Sequence, residues 1–395
     1  MTPRLALFLI LGIDAAVLFY EASSLSLTYH GATLLYGDMP TVMTRIIRFF
    51  VSVFGHNDIA LRFPMIVMNL LSALLLYVLA GPYAKNDRER VWLVAVFLLL
   101  PGIISASLLV DSAALVTLAL LAYACARRRW GHWADLLLPL YLFADPAFLV
   151  LYAGTFLYAL HRRAWPFAGG YALMFGVSLW YFGFDTGGLP ESQFLDTLGL
   201  FAAVMSPIVF VYLVYVLYRR WVTKQTDLLW YLSATALVLA LLLSFRQRIE
   251  IERFAPYLML ALPLGMQTFY HSYRVRLRPF RKRYRILFTL AVATLVLNAF
   301  AVFFNKAAYP FLDEPSHYFA YRAHIARELA EALREKGISC VDTESRMQLR
   351  LRFYGIGRCD GVVLKPAGDE SRADVTIRYY NTPVARYSVT RIPTD

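Results

Sequence analysis

The chain has 395 residues, of which 59% are hydrophobic and only 17% charged, with a mean hydropathy of +0.52. Soluble domains average roughly 45–50% apolar and 25% charged residues, so this composition excludes a soluble enzyme and describes a polytopic membrane protein. The formal charge of +12 does not point to nucleic acid, because Lys and Arg sit mainly in short loops between apolar runs, the mark of membrane orientation.

In chain order, hydropathy predicts about eleven helices, near 4–20, 64–81, 91–105, 108–126, 134–146, 147–161, 166–184, 196–218, 228–245, 254–272 and 286–304. Several are shorter than the roughly 20 residues of a perpendicular span, so the third to sixth read as two tight hairpins. The first apolar run lacks a small-residue cleavage site and is followed by further membrane segments, which argues against a cleavable signal. One set of alternate loops carries nineteen Lys and Arg, including Lys85, Arg127–Arg129, Arg162, Arg163 and seven between Tyr273 and Arg285. The other set carries six: Arg45, Arg48, Arg62, Arg246, Arg248 and Arg253. The positive-inside rule then places the N-terminus in the cytoplasm and the C-terminus outside. The membrane domain covers 1–304, with a first outer loop at 21–64 whose TVMTRIIRFFVSVFG stretch is amphipathic enough to lie along the interface.

From 305 to 395 the pattern changes to that of a small exterior α/β domain. HYFAYRAHIARELAEALREKG reads as a helix closed by Gly337. ISCVDT, GVVLKP, ADVTIRYY and ARYSVTRI read as strands, whereas MQLRLRFYGI fits a strand or a short helix equally well. Cys125 lies in an apolar helix. Cys340 and Cys359 are the two cysteines of the exterior domain, and an oxidising compartment would let them pair.

Within the apolar run 91–129, Pro101-Gly102 and the following serines mark a bend, and Asp111 is the single acid beyond it. An acid within a spanning hairpin costs several kcal/mol near the bilayer centre, which makes Asp111 a functional candidate; the alternative is a helix cap at a wet interface. The sequence shows no phosphate-binding Gly-rich loop, no dinucleotide fingerprint, no clustered Cys/His pattern and no inverted repeat of the transporter type. The expected outer face instead gathers Glu21, His30, Asp38, Asp58, Arg62, Asp111, Asp145, Asp185, Glu191, Arg246, Arg248, Glu250, Glu252 and Arg253. By position, Asp58 also reads as a helix cap, Arg62 as an interface anchor, Asp145 as a cap at a hairpin tip, and the late arginines as partners of Glu250 and Glu252.

The order of these segments resembles the GT-C glycosyltransferases, the family of the dolichyl-phosphate-mannose protein mannosyltransferases and the bacterial aminoarabinose lipid A transferases. FGHNDIALRFPMIVMNLLSALLLYVLAG follows a long first outer loop as "FG…AxRLP…LLYxLA" does there, and LLLPGIISASLLVDSAALVTLALLAYA is similar to their "P…S…D…L…LALY" hairpin, with Asp111 at the acid. ERFAPYLMLALPLGM resembles "RYxLPxxPxLA", and Phe353-Tyr354-Gly355 resembles the "FYxG" turn of their terminal domain. The resemblance implies sugar transfer from a polyprenyl phosphate at the outer face of a bacterial inner membrane, with inversion at the anomeric carbon. It implies Asp111 in the site, a cationic grip on the donor phosphate from Arg246, Arg248 or Arg253, with Arg62 as a further contact, and often a divalent metal. The chain departs from the family where an Asp-Glu-Ala is expected in the first loop: His30-Gly31-Ala32 stand there. His30, Glu21 or Asp38 then become candidates for the base, and the other outcome is a scaffold or polyprenyl-binding protein that kept the fold without catalysis.

Overall fold

A computed structural model describes residues 2–37, 41–183, 193–312, 314–368 and 373–391. The described chain is mostly helical, and a small three-stranded sheet lies at its C-terminal end. α1 (Pro3–Ser24) leads to two outer helices, α2 (Tyr29–Tyr36) and α3 (Val42–Phe54), and then to α4 (Asp58–Leu79). Each of these helices is started by a polar side chain that accepts an otherwise unpaired N–H: Thr2 for α1, Thr28 for α2, Thr41 for α3 and Asn57 for α4. Asn57 therefore holds the cap position expected of Asp58, which frees the Asp58 carboxylate for other partners.

Proline sets the next breaks. α5 (Asp87–Leu98) and α6 (Pro101–Leu108) meet at 61°, and α11 (Phe194–Met205) and α12 (Pro207–Val222) at 105°, with Pro101 and Pro207 each starting the second helix. α7 (Ala113–Trp130) begins two residues after Asp111, which therefore lies in a turn and not within the helix expected from residue 108. The span expected at 134–146 is a 3-10 segment (Gly131–Leu137) and one short turn, α8 (Leu138–Tyr141), because Pro139 and Pro146 deny a longer helix its hydrogen bonds. α9 (Phe148–His161), α10 (Trp165–Phe182) and α13 (Leu228–Leu243) follow as single helices. The helix expected at 254–272 is divided into α14 (Ile251–Met259) and α15 (Leu262–Val275), with Pro263 in the first turn of the second. α16 (Arg278–Phe303) completes the bundle.

Among the described residues, three helices are individually long and apolar enough to cross a membrane, and up to five spans result if each bent pair is one. α9 and α13 are apolar but shorter, so the eleven segments of the hydropathy reading are not each matched by one long helix.

The terminal domain has α17 (Ala326–Glu335), α18 (Ser345–Phe353) and strands β1 (Val362–Pro366), β2 (Val375–Tyr379) and β3 (Thr382–Arg391) in the antiparallel order β1-β3-β2. MQLRLRFYGI is thus mostly helix, in α18. ISCVDT makes only isolated parallel bridges, Cys340 to Gly357 and Asp342 to Val363, rather than a strand. The helix expected from His317 is regular only from Ala326, and Gly337 follows it at φ +71°, a conformation that avoids the Cβ strain of other residues. Cys340 and Cys359 are joined by a disulfide with S–S 2.13 Å.

Two cores result. One fills the helical bundle, and a second is shared between α2–α4 and the terminal domain, uniting Leu27, Met43, Ile47 and Met65 with Ile325, Leu329, Phe353 and Tyr387.

Candidate functional site

The end of the bundle that carries the terminal domain is tied together by Arg62. Its guanidinium is 1% exposed and donates to the carbonyls of Leu108 (2.7 Å), Ser26 (2.9 Å), Ala22 (3.3 Å) and Asp58 (3.2 Å) and to the Asp58 carboxylate (3.1 Å). One side chain thereby joins the C-terminal ends of α1 and α6, where carbonyls have no helical partner, to the start of α4. Asp58 also accepts from the Tyr354 hydroxyl (2.8 Å), which in turn accepts from the Leu27 N–H (2.8 Å). The Tyr of the Phe353-Tyr354-Gly355 turn is thus a plug between the two domains. Arg350 reinforces it by donating to the carbonyls of Leu27 (2.7 Å) and His324 (2.6 Å). The Arg62 guanidinium is engaged with these protein groups as a structural cross-link.

Beside this cross-link lies a cluster of acids. Asp111 is buried in the turn before α7 and accepts the Ala113 N–H at 2.9 Å. Asp145, equally buried, repeats the device before α9 by accepting the Ala147 N–H at 2.8 Å. Short polar side chains commonly bridge to a backbone N–H two residues on, which explains why an acid precedes each of these turns. The two turns meet, because the Ser112 hydroxyl hydrogen-bonds to Asp145. Glu252, in the first turn of α14, completes the group. Burial raises the pKa of Asp111 well above the usual carboxylate range, and the charges of Glu252 and Asp145 push it the same way against the opposing Ala113 N–H. The charges of His30, Glu250 and Arg253 also act on Glu252, and those of Arg253 and Glu250 on Asp145. Carboxylates that share a poorly solvated space oppose one another's ionisation.

His30 comes close to Glu252 because α2 approaches the Asp111 turn closely. A Cβ on Gly31 would lie 2.8 Å from a Leu27 methyl and 2.9 Å from the Val110 Cβ, so only glycine allows this approach. Arg253 pairs with Glu250 at 2.6 Å. Arg246 and Arg248 are exposed in the preceding segment, and their side chains make no hydrogen bond or ion pair among the described residues. Glu21 lies elsewhere: it is buried among Ser24, Asn305, Lys306 and Arg62 at the end of α1. Asp38, Asp185 and Glu191 are outside the described residues. Asp14, in the middle of α1, accepts from the Asn69 amide at 3.2 Å.

Of the candidate catalytic residues, Asp111 and His30 are therefore brought to one place through Glu252, and Glu21 is not. Two members of the cluster, Asp145 and Glu252, read in sequence as a cap and an ion-pair partner. A usable signal was present for Asp145, since Asp145-Pro146 and Asp111-Ser112 both stand just before an apolar helix. Among the described residues no group of three or more His, Cys, Asp or Glu side chains is arranged to hold a metal ion, so a divalent metal does not fit this acid set and no step is assigned to one.

At the opposite end of the bundle the basic loops converge. Arg128 donates to the Leu79 carbonyl, Arg220 contacts Asp227 and Gln267, Tyr83 donates to Asp227, and Arg274 pairs with Glu89. Scanned against models of protein families the chain matches none, and a search of curated proteins returns no match.

Proposed function

We propose that the protein is a membrane glycosyltransferase that moves a sugar from a polyprenyl phosphate to a glycan, lipid or protein acceptor at the outer face of a bacterial inner membrane. The observation that carries this reading is the buried Asp111–Asp145–Glu252 cluster with His30 on one side and Arg253 on the other. In this reading the acceptor hydroxyl attacks the anomeric carbon and gives its proton to His30, oriented by Glu252. The bond from that carbon to the phosphate oxygen breaks, and its electrons pass to the phosphate. Arg246 and Arg248 receive the phosphate as planar, permanently charged donors, with Arg253 behind them. Asp111, buried in the turn before α7, hydrogen-bonds the acceptor.

The membrane orientation belongs to the same proposal. Each bent pair, the divided α14–α15 and residues 131–147 counted as single crossings give eleven, with the basic ends inside and the terminal domain outside. The convergence of Lys- and Arg-bearing loops at one end supports this arrangement.

The test is transfer in proteoliposomes offered a panel of polyprenyl-linked sugars. Glu252→Gln and Asp111→Ala are expected to lower kcat about 100-fold or more, as loss of positioned acid–base groups does. Full activity in either variant refutes the site. Saturable binding of the polyprenyl phosphate with no turnover of any donor would instead favour a non-catalytic binding protein, a reading that the loss of the paired loop acids at His30-Gly31 supports.

A further inference from the structure

At the basic end of the bundle, α16 stands away from its neighbours: only 11% of its apolar window is buried inside the chain. Between α16 and α5, α12 and α15 lies a cavity of about 380 Å³, walled by Trp92, Leu213, Met266, Phe269, Phe288 and Ala291. Two tyrosines, Tyr270 and Tyr284, also line it. Each carries a guanidinium on its ring: Arg276 stands 4.2 Å from the centroid of Tyr284, and Arg274 5.8 Å from that of Tyr270. Arg281 joins the rim by donating to the Arg276 and Arg274 carbonyls, at 2.8 Å and 3.1 Å. From 274 to 285 the chain has seven Lys or Arg and no acid. Glu89 neutralises Arg274 from α5, and Arg276 has no carboxylate partner among the described residues.

We propose that this cavity is a specific site for an anionic phospholipid. One acyl chain occupies the apolar space beneath α16, and the headgroup phosphate sits on Arg276 and Arg281. An apolar chamber alone would take any hydrocarbon. The charge at its mouth selects the occupant, because Glu89 is paired with Arg274 and the remaining rim guanidinium groups are left to meet a phosphate. The tyrosine faces hold the cations at the lip and not out in solvent. Such a lipid also supplies contacts that α16 lacks, since apolar helices gain little from one another in a bilayer without close packing. The site lies at the far end of the bundle from Asp111 and does not depend on sugar transfer.

The experiment is lipid titration of the delipidated protein in neutral detergent, read by native mass spectrometry. Phosphatidylglycerol should bind about tenfold or more tightly than phosphatidylcholine, as expected for two rim cations at about 1 kcal/mol each. Arg276→Gln, at an exposed position, should reduce that preference about fivefold. Ala291→Phe, which fills the chamber, should abolish phosphatidylglycerol binding with the rim intact. Equal affinity for the two lipids overturns the proposal, as does an unchanged preference in Arg276→Gln. Displacement of the lipid by inorganic phosphate, together with normal binding in Ala291→Phe, also overturns it, since the rim would then be a free phosphate site.

Discussion

Arg62 and His324 show how differently single buried polar groups can act here. Arg62 is charged and fully partnered; removing one member of such a buried pair typically costs about 3–5 kcal/mol, because the other is left uncompensated. His324 is neutral and only half-partnered. Its Nδ1 is 2.7 Å from the Tyr309 hydroxyl, while its Nε2 is buried without a partner. Burial lowers its pKa from 6.5 to about 3, with Lys306 and Arg350 acting the same way and Glu328 opposing. The folded value lies below the unfolded one, so the unfolded chain binds the extra proton. The stability this group contributes is complete above pH 6.5 and is lost as pH falls toward 3. Thermal unfolding of the purified protein followed at several pH values should show Tm falling between pH 7 and pH 5, and His324→Gln should flatten that fall. An equal fall in the variant would mean that other groups set the pH dependence.

At the scale of elements, most of the structure's departures from periodicity occur at proline or at short polar turns. A hydropathy window sees 196–218 and 254–272 as continuous apolar stretches, but Pro207 and Pro263 begin new helices within them. The alternation of MQLRLRFYGI is compatible with a strand, yet α18 forms because Leu351 and Phe353 find the shared core from a helix. Strand pairing fails for ISCVDT, which is fixed by two bridges and the disulfide. That bond closes a loop of 19 residues in sequence separation, which on the chain-entropy account contributes on the order of 3 kcal/mol. Cys359→Ser is expected to lower the Tm of the terminal domain by several degrees and to raise its sensitivity to protease. An unchanged Tm, with two free thiols titrated in the native protein, would remove the disulfide from the account.

On the scale of the whole molecule, the terminal domain is a structural partner of the first loop and not an appendage. Ser26, Leu27 and Asp58 on one side meet Ala323, Arg327, Arg350 and Tyr354 on the other, so the site end of the bundle and this domain form one folded unit. The proposed orientation predicts that Asp360→Cys is labelled by an impermeant maleimide from outside intact cells, and Arg129→Cys only after permeabilisation, both in a Cys125→Ala background. Labelling of both from the same side would overturn the orientation.

Composition, charge placement and proline spacing are local properties, and they alone determined the membrane class, the uneven distribution of Lys and Arg, the division near 305 and the candidacy of Asp111, whereas His30 became a candidate base through the family resemblance. Tertiary structure decided which polar groups share a space. Arg62 and Arg253 look alike in sequence, both being arginines in loops poor in positive charge. Only the fold closes four carbonyls and a carboxylate around the first and leaves the second 41% exposed beside Glu250. Asp145 and Glu252 lie 34 and 141 positions from Asp111, and although Asp145 shares its place before an apolar helix, no local pattern brings the three together. Their juxtaposition arises because α7, α9 and α14 begin at the same end of the bundle, where burial removes water from all three acids together.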